Sequence, residues 1–431
     1  MNVDIASNEV ISESGRSFDW PLIALLTSIA ALNYSDRMAM AAVFPLLRAD
    51  LGVSDVGLGA IGSAFLWTYA LGSPFVGWLA DRRSRTRMVI GSLFAWSLVT
   101  VATGLTRSVN QLIVMRLLLG FAECAYLPAA VGLLADHHGP RHRGRAISLH
   151  TAGLGIGAVL GTTAAGYLGQ HYGWRITFLI LGGVGILLAA AAVTVLRGKD
   201  VPSVPSIEYA GVASQRSLRD LLRIPSYWVL LVQSMIVSLG IWLFLNWLPL
   251  YFTDTFSLSL AGAGFFGAGL LEFPGLFGVV VGGQISDSVA RRGRVHRMLV
   301  QSICYFIGGA LLVTFTTRAV FALVAAAVFA FSFVRSIAQS NEGPLLCDLL
   351  APRQRSTAIG LMNCANTFAG GLGVLGAGVL KQNYSLSTIF GGVSMLVFGA
   401  AVITAVGYKF LLQTDLNSRV KGELDVERNA K

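Results

Sequence analysis

Along the 431 residues, apolar runs of about twenty positions alternate with short polar breaks. A helix needs about 20 residues to cross the hydrocarbon of a bilayer, so each run predicts one membrane-crossing helix. Twelve runs fall near 20–46, 56–80, 88–106, 110–135, 146–169, 175–196, 227–252, 260–286, 297–316, 319–350, 356–380 and 386–412. The longest break lies between the sixth and the seventh. From Arg197 to about Ser226 the chain is polar, with Pro202, Pro205, Arg216, Arg219, Asp220 and Arg223. The expected fold is an all-α membrane protein of two pseudo-symmetric six-helix bundles. Its parts are a tail (1–19), a first bundle (20–196), a central loop (197–226), a second bundle (227–412) and a second tail (413–431).

Composition agrees with this pattern. With 54% hydrophobic and 13% charged residues, the chain has too few polar groups to wrap a soluble globule of its length. The net charge of +10 alone would suit a nucleic-acid partner. The arginines, however, cluster between spans, in Asp81–Arg87, Arg141–Arg145, Arg197–Arg223, Arg291–Arg297 and Arg353–Arg355, and these loops alternate with arginine-poor ones. That distribution sets topology, placing the five loops and both termini in the cytoplasm and leaving no nucleic-acid site. The first nineteen residues are acidic (Asp4, Glu9, Glu13, Asp19) and lack a basic leader, so the first span is read as retained. Cys124, Cys304, Cys347 and Cys364 lie singly in apolar stretches, which predicts neither disulfides nor a metal site. There is no phosphate-cradling Gly-Lys loop, no His-rich metal motif and no large soluble segment, so neither enzyme chemistry nor a cofactor is expected.

The two halves repeat. Gly77-Trp78-Leu79-Ala80-Asp81 followed by Arg82 to Arg87 returns as Gly283-Gln284-Ile285-Ser286-Asp287 followed by Arg291 to Arg297, an offset of 206. Leu134-Ala135-Asp136 with Pro140-Arg141 and Arg143 returns as Leu346-Cys347-Asp348 with Pro352-Arg353 and Arg355, an offset of 212. Two segments at nearly equal offsets indicate a duplicated unit, as in folds built around a midplane site.

Against this apolar background a few charges stand out. Asp36 and Arg37 fall in the middle of the first span, where one charge costs roughly 2.5–3.5 kcal/mol on insertion scales. Arg116 and Glu123 fall in the fourth span, seven residues and about 10 Å apart on one helical face. Such groups face the bundle interior or a water-filled cavity. The second half carries Glu272 beside Pro274, and Arg335 and Glu342, again seven apart. At the 212 offset Arg335 falls opposite Glu123, so the charge order is not copied.

At these residues the chain resembles the major facilitator superfamily, over about Trp20 to Leu412. Gly77, Asp81, Arg82 and Arg87 resemble its cytoplasmic signature between the second and third helices, with departures at Ser84 and Thr86. Gly77 and Gly283 then serve close helix approach, and Asp81, Arg82 and Asp287 a conformational switch that salt-bridges across the halves. Tyr34-Ser35-Asp36-Arg37, Ala64 to Gly72 including Trp67 and Tyr69, and Arg116 to Ala125 together resemble the anion:cation symporters. Asn246-Trp247-Leu248-Pro249 points the same way. That resemblance implies symport of a small organic anion with protons or sodium, by a monomer in a bacterial inner membrane. Spinster-type carriers of lysolipids share the Asp-Arg pair and the Arg…Gly…Glu pattern. They remain the alternative, together with metabolite or drug exporters of the same fold.

The resemblance and the chemistry together assign roles. Arg37 grips the substrate carboxylate, which a planar guanidinium fits in two-pronged fashion. Arg116, a further substrate contact, pairs with Asp36 at rest. Glu123, flanked by Ala122, Cys124 and Ala125, is the more desolvated acid and the first choice for the coupling proton, with Asp36 second. Tyr34 and Tyr69 are hydroxyl donors to the substrate or packing groups, and Asn363 and Asn366 contact the substrate or only neighbouring helices. Arg335 and Glu342 form a second-half gate, a substrate contact or a structural pair. His150 is a cytoplasmic-side proton exit or a satisfied histidine. In the fifth span, Leu154 stands where sugar-acid carriers tend to have a polar side chain, which favours a less hydroxylated substrate. Gly153, Gly155, Gly157 and Gly161 are read as close-packing positions across the pore.

Overall fold

The computed structural model describes residues 18–80, 83–199, 220–317 and 319–418. Among these residues fifteen α-helices follow one another. In the first half these are α1 (Trp20–Ala42), α2 (Phe44–Leu51), α3 (Asp55–Ala80), α4 (Arg85–Gly104), α5 (Val109–Glu123), α6 (Tyr126–His137), α7 (Pro140–Tyr172) and α8 (Trp174–Val195). In the second half they are α9 (Pro225–Phe256), α10 (Leu260–Ala290), α11 (His296–Leu312), α12 (Phe321–Ser340), α13 (Glu342–Leu349), α14 (Pro352–Leu380) and α15 (Leu386–Val406). No strand occurs among the described residues.

The fifteen helices make twelve spans because three spans are broken. A proline forfeits the bond to the carbonyl four residues back and clashes with it. Pro45, Pro128 and Pro344 each lie two to four residues after a break, in the first turn of the helix that follows it, so the first, fourth and tenth spans divide at Val43, at Cys124–Ala125 and at Asn341. The second and third of these divisions sit beside Glu123 and Glu342. Eleven helices among the described residues are long and apolar enough to cross a bilayer, and the chain is a multi-pass membrane protein. The helix missing from that set is α1, which Asn33, Asp36 and Arg37 make too polar. It is instead enclosed by protein, with sixteen of its residues buried.

Within the first half α1 packs on α7, α3 on α5 and α4 on α8, and within the second α10 packs on α12 and α11 on α15. The halves meet along α3 with α14, α7 with α10, and α1 with α9. Glycines set the closeness of these seams. A Cβ at Gly157 would fall 2.0 Å from the Ala31 carbonyl oxygen, and one at Gly166 would fall 2.2 Å from that of Leu260 in the other half. The expectation for the fifth span is thereby refined. Gly153, Gly157 and Gly161 press on Thr27, Ala31 and Ser35 of α1, and of these four positions Gly155 is the one that faces the opposite half.

On the arginine-poor side the halves are tied together. Lys381 reaches Asp55 at 3.3 Å and Arg48 approaches Asp254 at 3.9 Å, both across the seam. Further in, the Thr162 hydroxyl donates to the Gly264 carbonyl at 2.9 Å and the Ser63 hydroxyl to that of Gly371 at 2.8 Å. Among the described residues, the cross-half hydrogen bonds of the α3–α14 seam extend inward as far as the Cys364 thiol, which donates to the Ala70 carbonyl at 3.3 Å.

On the arginine-rich side the repeat becomes physical. Arg85 pairs with Asp136 and Arg297 with Asp348, each pair 51 residues apart and each joining the start of one span to the end of the next within its own half. Gly132 lets the Arg85 guanidinium lie flat on α6, accepting from it at 3.1 Å. Asp81 and Arg82 lie outside the described residues, and Gly77 is described by its helical backbone alone. Gly283 faces open space and Asp287 is exposed.

The close approach of α7 to α1 generates a stability test. Gly157→Val forces atoms onto the α1 backbone and is expected to lower the unfolding temperature in detergent by on the order of 5 °C, whereas Gly183→Val, which meets nothing within 4 Å, should leave it unchanged. Equal unfolding temperatures for the two variants would contradict the packing described here.

Candidate functional site

The side chain at the centre of the first half is Arg37. Its Nη2 donates to Glu123 Oε2 at 3.1 Å and to Asn33 Oδ1, one turn back on α1, at 3.3 Å. The guanidinium carbon also lies 4.7 Å from the ring centre of Tyr34, 4.8 Å from that of Phe65 and 4.6 Å from that of Tyr69. A desolvated cation gains about 2 kcal/mol from an aromatic face, so three such faces offset much of the cost of burying the charge. Arg37 is 6% exposed and Glu123 1%.

Several features of local sequence bring the two together. Gly120 lets α5 lie against α3, because a Cβ there would come 2.4 Å from the Phe65 carbonyl and 2.2 Å from the Thr68 hydroxyl. The proline-driven break then ends α5 at Glu123. A carboxylate at the C-terminal end of a helix meets the negative end of the helix dipole, so it depends on the arginine opposite. The Asn33 amide faces the same carboxylate, whose Oε1 is buried with no hydrogen-bond partner.

The expected Asp36–Arg116 pair is not formed. Asp36 lies about 100° round α1 from Arg37 and points at α4, where Trp96 and Thr100 are its neighbours. Both of its carboxylate oxygens, the Trp96 indole nitrogen and the Thr100 hydroxyl are buried without a well-formed hydrogen bond. Arg116 instead donates to backbone carbonyls, Nε to Ile61 and Nη2 to Arg37, each at 3.4 Å, and its guanidinium lies 4.9 Å from the Phe65 ring centre. Phe65 is thus a slab shared by both arginines. The sequence points to neither Trp96 nor Thr100, and Phe65 enters only as a member of the run Ala64 to Gly72, with no role of its own. Each sits in an apolar run whose periodicity marks it as core, and only the fold aims it at a charge.

His150 is fully buried. The Tyr126 hydroxyl donates to the Leu26 carbonyl at 2.7 Å and therefore accepts from His150 Nε2 at 3.0 Å, leaving Nδ1 buried without a partner. Trp67 binds the halves together, donating to the Phe368 carbonyl at 3.3 Å, whereas Trp247 donates to the Val374 carbonyl at 3.0 Å within the second half, joining α9 to α14.

In the second half, the break at Asn341 separates Arg335 from Glu342, and they form no ion pair. Arg335 donates to Gln339 at 2.8 Å and to Ser336 at 3.1 Å, and lies in the field of Glu272. Glu342 faces Ser234 and Tyr305. Beside it Gln233 has both amide atoms buried without partners, a polar group the sequence reading also passed over. Asn366 accepts from the Ser234 hydroxyl at 2.9 Å, a contact with a neighbouring helix, while Asn363 is exposed.

Comparison with known proteins agrees with this architecture. Residues 26–374 match the family model described as Major Facilitator Superfamily. The chain is 28% identical over 322 residues to the probable galactarate/D-glucarate transporter GudP of Bacillus subtilis (strain 168), covering 68% of this chain and 70% of that one. It is 25% identical over 398 residues to the probable anion transporter 2, chloroplastic, of Oryza sativa subsp. japonica, covering 88% and 74%. Among solved structures it is similar to a bacterial homolog of the human lysosomal transporter Spinster in an inward-facing, unoccupied conformation. That likeness has a TM-score of 0.73 at 19% identity and covers 93% of this chain and 98% of the other, and at this identity it speaks to the fold alone.

The buried pair predicts a coupling. Removing one partner of a buried ion pair costs about 3–5 kcal/mol, because the other charge is left uncompensated. Arg37→Ala and Glu123→Ala should each destabilise the protein clearly in thermal unfolding. The double variant should lose less than the sum of the two, and strict additivity would show that the pair is not energetically coupled.

Proposed function

The chain belongs to the Major Facilitator Superfamily and is a secondary transporter, not an enzyme, and we propose that it moves a small organic carboxylate in symport with protons by alternating access. The observation that carries this reading is the closed, buried Arg37–Glu123 pair, 3.1 Å apart. While Glu123 is ionised it occupies the arginine that an anion needs. Protonating Glu123 discharges that partner and frees the guanidinium in its aromatic box, where a substrate carboxylate replaces the lost charge. Proton and anion then favour each other's binding by the same factor, which is the thermodynamic content of symport. Asp36, beside it on α1 and facing Trp96 and Thr100, is the second protonatable group, and Arg116 tethers α1 to α3 through their backbones.

Alternating access is supported by the unequal seams. The halves are tied by ion pairs and hydrogen bonds on the arginine-poor side, which the positive-inside rule assigns to the exterior. The described state is then the one whose site communicates with the cytoplasm, in a bacterial inner membrane with both termini inside. The names of the curated relatives, transporters of galactarate, glucarate and anions, support the substrate class.

The test is uptake into proteoliposomes. With one proton carried per anion, a gradient of one pH unit sustains about tenfold accumulation of the anion. Glu123→Gln should abolish this accumulation while preserving anion exchange at equal pH, and Arg37→Ala should abolish both. If Glu123→Gln and Asp36→Asn accumulate the anion as wild type does, or if a sodium gradient alone drives uptake, the proton-coupled mechanism is wrong.

A further inference from the structure

The first half's arginine and glutamate satisfy one another, whereas the second half holds a base and an acid that do not. Arg335 has no carboxylate within 4 Å among the described residues. It donates to Gln339 and Ser336, and its Nε is buried without a partner. The guanidinium lies over Gly275 of α10, where a Cβ would sit 3.9 Å from Nη2. One turn earlier on the same face of α10 stands Glu272, likewise without an ion pair or hydrogen bond among the described residues. It crosses to the opposite half. Its Oε2 would lie 3.2 Å from a Cβ at Gly155 of α7, and it is within electrostatic reach of Arg335 and of Tyr34, the latter part of the Arg37 box.

This geometry also accounts for Leu154. The neighbouring leucine packs into the first half's core, so the α7 residue at the seam is Gly155, and the polar group at that height is Glu272, reaching through the gap the glycine leaves.

We propose that Arg335 and Glu272 form a two-part substrate subsite, Arg335 sharing with Arg37 the substrate's single carboxylate and Glu272 accepting from a hydroxyl or ammonium donor at the substrate's far end. The proposal rests on the anion-transport reading above and narrows it. The cargo is a monocarboxylate carrying a donor, and a dicarboxylate is rejected. A second carboxylate about 6 Å from Glu272, at an effective dielectric of about 20, loses about 100-fold in affinity.

The test is equilibrium binding to the purified full-length protein with four probes: gluconate, glucarate, ε-aminohexanoate and hexanoate. Wild type should bind gluconate at least about tenfold more tightly than glucarate, and at least one of gluconate and ε-aminohexanoate more tightly than hexanoate, the stronger of the two identifying the donor. Glu272→Gln should erase the preference for gluconate over glucarate, Glu272→Asp should retain it, and Arg335→Gln should weaken every probe that wild type binds. Glucarate binding as tightly as gluconate to wild type overturns the proposal. So does a Glu272→Gln variant that folds, binds and keeps the wild-type ratio. Failure of wild type to bind any of the four removes the anion reading as well, a result distinct from an unmoved ratio.

Discussion

The structure turns on one buried ion pair, Arg37 with Glu123, and on how much of the first half exists to make it tolerable. Two isolated ions taken from water into a helix bundle lose more in solvation than they regain from each other unless further contacts surround them. Those contacts are visible: three aromatic faces on the guanidinium, an asparagine one turn away, a glycine that lets α5 approach α3, and a proline-broken span that ends at the carboxylate. A hydrophobic pair of the same volume would hold the helices at least as well. Stability alone therefore does not account for the charges, whereas a site whose electrostatics change when one proton is added does.

A second constraint is where the halves are joined. The repeated arginine–aspartate pairs on the arginine-rich side lie wholly inside each half, so they stiffen a half without tying it to the other. The ties between halves include the exposed Arg48–Asp254 pair, the more buried Lys381–Asp55 pair and single hydrogen bonds at glycine seams. A surface ion pair such as Arg48–Asp254, 3.9 Å apart, is weak, in the range of about 0–1 kcal/mol. Rigid halves joined by weak ties are the mechanical requirement for rocking about a midplane site.

Much of this was legible in the sequence, and the parts that were not share a cause. Span count, the two halves and the repeat follow from hydropathy and spacing, because lipid forces each crossing to be a long apolar helix. The charges of the site were legible for the same reason, since in an apolar run they are conspicuous. Their pairing was not. Asp36 and Arg37 are adjacent in sequence but point to different helices, and nothing in the order of residues says that Arg37 would find Glu123 while Asp36 faces Trp96 and Thr100. The seven-residue spacing of Arg335 and Glu342 suggested a shared face, and the break at Asn341 removed it. Phe65 and Trp96 were hidden by being aromatic in an apolar helix, where a residue that contacts a charge and one that packs against leucine look alike.

The two halves therefore bring different chemistry to the proposed site, although they carry one repeated pattern. In the proposed mechanism the base of the first half, neutralised by its own acid, contributes to anion binding only once a proton arrives. In the second half Arg335 has no acidic partner in contact among the described residues, so the contribution proposed for it is permanent. A carrier with only permanent arginines would hold its anion regardless of the proton, and one with only conditional arginines would have nothing to orient the anion before the proton arrived. Dividing the roles between halves makes the substrate the bridge that connects them, and places the discharge of Glu123 and the engagement of Arg335 on opposite sides of the seam that must open and close.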